Sequence, residues 1–386
     1  MPERQSALPL LRLGRLELGP GLRALEPGPA ASGLVVTAMV QVPDSGSERQ
    51  YAWDVAWSDA AREAKRLGAD QRTAEALAAG AGTALADRTR AVVAAHGEVL
   101  LARWLPSAAG PSSVRVGPLP RLLEIAAAAA RRPAHVVTLA DRHGAAVVAH
   151  AAGDQYPARR FPAGARPGRQ HGPHPDRPPA LHHGERHVTD SEPEGGGERN
   201  AEFIAGRVAE AAASVGAHIV LGAGDQHVLG AISGHLPASL GPVTTIASGP
   251  VPGYRDDQLS DQVAAALEKI TAAAIGAVGE LVGSSAAGPE PAAVRGIEAV
   301  AQQLAEQQVA VLLVAADIAD SRYGIGSRPT ELLPAGDSAA RAEVPLADGL
   351  AWAALHQDAI VVQLPDRAGP LAGEPAAALL RRGHAT

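Results

Sequence analysis

The residues with the most chemistry to offer crowd into one stretch. His171, His174, His182, His183 and His187 are interleaved with Arg159, Arg160, Arg166, Arg169, Arg177 and Arg186, and the stretch runs into Gly195-Gly196-Gly197-Glu198-Arg199. Between 157 and 187 these six arginines face only Asp176 and Glu185, a local charge of +4 in a chain whose net charge is −7. Arginine and histidine pair with phosphates and stack on bases, so a segment of this kind suits an RNA surface. A solvated insert without a partner fits the composition equally well. Imidazoles at this density could also hold a transition metal. Their spacing is irregular, however, prolines deny them a common helical face, and His-Glu-x-x-His is absent, so no metal site is expected.

Other places where chemistry could reside are weaker. Leu221-Gly222-Ala223-Gly224-Asp225-Gln226-His227 follows a strand and opens a helix, but His227 occupies the position of the third glycine in a dinucleotide fingerprint, and no acid ends a following strand. Asp225 reads better as a helix N-cap. No phosphate-binding G-x-x-x-x-G-K-[ST] and no G-x-S-x-G nucleophile elbow occurs. Asp317 and Asp320 follow an apolar strand where an α/β protein could place a catalytic pair, although solvated loop caps explain them more simply. No cofactor is expected.

Length and composition bound what these residues can belong to. A chain of 386 residues exceeds one ordinary core and accommodates two or three domains of about 100–150 residues. It contains no cysteine, which removes disulfides, thiolate nucleophiles and Cys-ligated zinc and fits a reducing, cytoplasmic setting. No apolar run approaches the roughly 20 residues of a membrane helix, and Arg12, Arg15 and Glu17 interrupt the opening leucines, so neither an anchor nor a signal peptide is expected. The acidic balance argues against a uniform nucleic-acid coat and leaves RNA contact to a local patch.

The elements that would position these residues follow from periodicity. Residues 1–30 read as an arm or irregular strand, and 34–40 as a buried strand. Ser58 reads as the cap of a helix ending at Arg66, followed by a helix from Gln71 to Ala86 and a hairpin turning at His96-Gly97. A second hairpin turns at His143-Gly144. Residues 154–198 lose apolar periodicity and carry seven prolines between 157 and 179, so they are expected to form no helix or central strand and to be disordered when free. Helical order is expected from Asn200, with Phe203, Ile204, Val208, Ala211, Ala212 and Val215 on its buried face. Strands and helices then alternate: strands at HIVLG, VTTIA, VAVLLVAA and a closing AIVVQL, with helices at DQHVLGAISGHL, 257–283, 290–307 and LADGLAWAALHQ. That order argues for a mostly parallel sheet covered on both faces.

In this order of parts, a glycine pair is followed by Glu198 and, five residues later, by Phe203, after which an α/β/α region begins at HIVLG. The chain therefore resembles the class-1 release factors of archaea and eukaryotes, the no-go-decay factor Pelota, and above all their bacterial relatives, the bacterial archaeo-eukaryotic release factors. Those relatives include actinobacterial proteins and the hibernation factor Balon. The resemblance covers about 130–386 and implies a three-domain α/β architecture. Its parts would be a small N-terminal α/β domain (1–125), a central sheet-plus-helix domain (126–216) carrying a basic mobile loop (154–198), and an L7Ae-like α/β/α domain (217–386), to whose last helix and strand VPLADGLAWAALHQDAIVVQL is similar.

Release factors of this kind carry Gly-Gly-Gln at the loop tip, where a main-chain N–H beside the glutamine stabilises charge developing on the ester carbonyl. Here the triplet is Gly196-Gly197-Glu198. A carboxylate about 4 Å from that charge would repel it by about 4 kcal/mol at an effective dielectric of 20, about three orders of magnitude in rate. The N-terminal region also lacks the Asn-Ile-Lys-Ser motif of stop-codon readers. The resemblance thus implies a monomeric, cytoplasmic, ribosome-associated factor that sits in the A site and peptidyl-transferase centre as a hibernation or stress factor without ester hydrolysis. Its RNA contacts would come from the arginines and histidines above with Gly195, Gly196, Gly197 and Arg199, and a translational GTPase such as elongation factor Tu could deliver it. The alternative is a peptidyl-tRNA hydrolase or rescue factor using Glu198 or a loop histidine as general base. A third reading is an interaction protein that binds a protein partner and no RNA.

Overall fold

The computed structural model describes residues 16–26, 34–41, 48–84, 88–106, 112–141, 144–152, 159–163, 196–249, 257–285, 292–318 and 321–381. The fold is mixed α/β and divides into two compact units, one of Met1–Ala134, His150–Pro157 and Ala264–Thr386, the other of His135–Ala149 and Ala158–Val263.

The first unit opens with a short helix α1 (Pro20–Arg23) and the strand β1 (Val35–Gln41). Helix α2 spans Arg49–Arg66, so Ser58 lies inside it and does not cap it. The helix begins early because Trp53, Trp57, Ala60 and Ala64 fall at helical spacing and are all buried. Helix α3 (Gln71–Ala79) is capped by Asp70 and ends seven residues earlier than expected. It ends at Gly80, where a Cβ would come within 2.7 Å of Val92 Cγ1, and the chain then turns through Gly82 at φ 66. The hairpin of β2 (Arg88–Ala95) and β3 (Glu98–Pro106) turns at His96 and Gly97 as expected, with both residues at positive φ, 53 and 80.

Strand β4 (Ser113–Gly117) completes an antiparallel sheet in the order β3-β2-β1-β4. Alternation along β1 sends Val36, Ala38 and Val40 toward the tryptophans of α2 and Leu77 of α3, while Val35 and Met39 enter a second core. Trp53 donates its indole N–H to the Gly82 carbonyl at 3.0 Å, which satisfies the one polar atom of a buried ring. Helix α4 (Leu122–Arg131) follows, with buried residues all round its circumference, as expected of a helix enclosed by other elements.

The second unit is built on a five-stranded sheet. Strands β5 (His135–Asp141), β6 (Gly144–His150) and β7 (Arg159–Ala163) are followed by helix α5 (Gly196–Val215), β8 (Ile219–Gly224), helix α6 (Gln226–His235) and β9 (Thr244–Ser248). The strand order is β7-β6-β5-β8-β9. β5 runs parallel to β8 and β8 to β9, whereas β6 and β7 are antiparallel. Of the residues expected to turn the β5–β6 hairpin, His143 lies outside the described residues and Gly144 is the first residue of β6. The position between 216 and 217 falls between α5 and β8, inside this unit.

Helix α7 (Asp257–Ser285) leads to β10 (Ala293–Arg295), α8 (Ile297–Ala305), β11 (Val309–Ala315), the strands β12 (Arg322–Ile325), β13 (Leu332–Pro334) and β14 (Ala342–Pro345), helix α9 (Leu346–His356), β15 (Ile360–Leu364) and β16 (Ala376–Leu380). The helix expected over 290–307 is thus a short strand and a shorter helix. AIVVQL does not close the fold, because β16 follows it. The sheet β10-β16-β11-β15 is mixed, not mostly parallel: β11 pairs with β15 in parallel and with β16 antiparallel. One face meets Ala274, Val278 and Val282 of α7. The other belongs to the same core cluster as α4, α8, α9 and the β1–β2 residues. Residues from the N-terminal and C-terminal thirds of the chain therefore share one core, and Arg23 reaches Asp358 at 2.5 Å beside it.

Candidate nucleic-acid interface

Helix α5 and the edge strand β7 carry all the described members of the proposed RNA-contacting set. Arg159 and Arg160 stand on β7, opposite Ala149 and Val148 of β6. This strand lies inside the segment expected to be structureless, so that expectation fails for 159–163. The proline argument itself survives: Pro162 sits on an edge strand, where a missing N–H costs no ladder bond to a second neighbour. Arg166, Arg169, His171, His174, Arg177, His182, His183, Arg186, His187 and Gly195 lie outside the described residues, as does the expectation of disorder between 164 and 195.

Gly196, Gly197, Glu198 and Arg199 form the first turn of α5. The helix starts four residues before the expected Asn200, so the glycine pair is helical backbone and not a loop tip. α5 packs on β5, β7 and α6. Its buried stripe is Ala201, Ile204, Ala205, Val208, Ala211 and Ala212, with Val215 half-buried. Phe203 does not belong to this stripe and is 55% exposed. The spacing held the signal: Ala201 and Ala205 complete the i, i+3, i+4 pattern with Ile204 and Val208, and position 203 is turned about 100° from 204. A turn further on, Arg207 pairs with Glu210 at 2.5 Å.

The glycine-rich turn after β8 has a structural explanation. A Cβ at Gly222 would stand 2.5 Å from Val243 Cγ1 and 2.9 Å from Leu229 Cδ2, so glycine permits close packing of strand on helix. Gly224 adopts φ 124, and Asp225 Oδ1 accepts from the N–H groups of His227 at 2.9 Å and Val228 at 3.3 Å. That is the expected N-cap. Asp317 is held by Arg367, whose Nε donates to Oδ1 at 3.1 Å on the surface, while Asp320 lies outside the described residues. Among the described residues no group of three or more His, Asp or Glu could hold a metal ion, and no helix is long and apolar enough to cross a membrane.

Comparisons with known proteins bear on the same region. Residues 134–288 match the model of bacterial archaeo-eukaryotic release factor family 2, a span that begins just before β5 and ends just after α7. No curated protein matches the chain. Among solved structures, Pelota from Archaeoglobus fulgidus is 14% identical over 77% of this chain and 80% of its own, with a TM-score of 0.31. An archaeal Pelota from a model of ribosome-bound Pelota and ABCE1 is 13% identical over 94% of this chain and 92% of its own, with a TM-score of 0.39. The archaeal translation termination factor aRF1 is 11% identical over 98% of each chain, with a TM-score of 0.22. Over the segment that contains β5 to α7, the chain is similar to the bacterial archaeo-eukaryotic release factors of family 2.

Proposed function

We propose that this protein is a ribosome-binding translation factor that occupies the A site, directs α5 toward the peptidyl-transferase centre and protects the idle ribosome without cleaving an ester. The observation that carries the reading is Gly196-Gly197-Glu198 in the first turn of α5, within the family-matched segment. The glycines permit close main-chain approach to RNA, and Glu198 places a carboxylate where the release factors have glutamine. A basic segment that enters the sheet through β7 supplies phosphate contacts. In this reading the α/β/α layer of β10, β11, β15 and β16 with α7 to α9 corresponds to the L7Ae-like domain, the factor acts as a monomer under stress, and a translational GTPase delivers it.

Co-sedimentation with vacant 70S ribosomes over a salt series tests this. The comparison variant lacks 164–187, which leaves β7 in place. The expected result is binding that weakens steeply with salt and is reduced in the deletion variant. Absence of binding by the intact protein overturns the proposal, and salt-insensitive binding points to a protein partner. A peptide-release assay on stalled complexes separates the two translation readings. Release by the intact protein that disappears in Glu198→Ala would establish the hydrolase, and no release is the expected outcome.

A further inference from the structure

Phe203 is one of two phenylalanines in a chain where aromatic residues are 3% of the total. It stands 55% exposed on α5, and the stripe that seats the helix is complete without it. Among the described residues of α5 it is the one exposed large apolar side chain. Glu202 and Gly206 beside it are exposed, and the Arg207 and Glu210 side chains pair with each other one and two turns on. A Cβ built on Gly206 would meet nothing within 4 Å among the described residues. Contacts with proteins favour a contiguous apolar cluster that seals out water. A lone aromatic ring exposed outside the buried stripe of its helix fits the face of an unpaired base.

We propose that Phe203 is a base-stacking residue: its ring meets the face of an unpaired ribosomal RNA base when α5 docks. This rests on the ribosome-binding reading above and adds to it the atomic contact that the outer face of the helix makes.

The test measures affinity for purified 70S ribosomes of the intact protein and of Phe203→Ala, Phe203→Leu and Phe203→Trp, each across a salt series. Stacking of one base predicts that Phe203→Ala weakens binding about 5- to 150-fold, that Phe203→Leu weakens it nearly as much, and that Phe203→Trp retains it. The dependence of affinity on salt should have the same slope in all four, because no phosphate contact is lost. Wild-type affinity in Phe203→Ala overturns the inference while leaving ribosome binding standing. Wild-type affinity in Phe203→Leu with loss in Phe203→Ala also overturns it, since an apolar protein pocket accepts leucine and a base face does not. Failure of the intact protein to bind ribosomes removes both the function and this contact.

Discussion

Of two neighbouring residues of α5, one should lose much stability on truncation to alanine and the other almost none. Ile204 is wholly buried and Phe203 is 55% exposed. Ile204→Ala removes three carbons from the α5 seat. At about 0.8 kcal/mol for each buried methylene the transfer contribution is about 2.4 kcal/mol, and the cavity left behind raises the expected loss to about 3–4 kcal/mol. Phe203→Ala removes a larger side chain from the surface, and alanine favours helix by about 0.5 kcal/mol, so stability should change by no more than about 0.5 kcal/mol in either direction. Hydrogen exchange of the α5 amides is the suitable assay because it isolates this helix from the first unit. A loss of about 3 kcal/mol speeds exchange from open states about 150-fold, whereas Phe203→Ala should leave it unchanged. Equal acceleration in the two variants would place Phe203 in the core and refute the assignment of the outer face.

Other perturbations probe the units separately. Glu198→Gln removes a charge that would oppose an oxyanion by about 4 kcal/mol, so peptide release should rise by up to about three orders of magnitude if charge alone blocks the reaction; no rise in a release assay would rule that explanation out. In the first unit, His356 lies against Trp352 with ring centroids 4.0 Å apart and ring planes tilted by 46°. Burial holds its imidazole below the ordinary value, opposed chiefly by its hydrogen bond with the Trp352 carbonyl and more weakly by the charge of Asp358. The neutral ring is therefore favoured in the fold, so its contribution is complete above the unfolded value of about 6.5 and is lost as pH falls from there toward the folded value. Denaturant titrations should show a smaller loss across that window in His356→Phe than in the parent chain, and identical pH profiles would contradict this. Asp70 accepts from Thr73 N at 2.9 Å and from Thr73 Oγ1 at 2.7 Å. The hydrogen bond from the Thr73 side chain is the chief cause of its lowered carboxyl pKa. Asp70→Ala should cost about 1 kcal/mol in urea unfolding at neutral pH, and the difference should vanish as acid titrates Asp70 from its unfolded value of about 3.9 down through its folded value.

The sequence by itself determined what local chemistry controls. The hairpin at His96-Gly97, the Asp225 cap, the apolar strands β1, β8, β11 and β15 and the stripe of α5 were all legible, because each depends on residues a few positions apart. It also supplied Gly196-Gly197-Glu198 and the resemblance that the match over 134–288 bears out. Only the tertiary structure decided the rest. Arg159–Ala163 lacks a strand pattern of its own and is a strand because β6 supplies its hydrogen bonds. Phe203 is the exception, because the spacing of Ala201, Ile204, Ala205 and Val208 already sets it about 100° outside the buried stripe. The all-buried α4 and the core shared by β1, α4, α9 and β15 join residues more than two hundred positions apart. Burial of that kind is a sum over partners brought together by the fold, and periodicity along one segment carries no record of which partners they are.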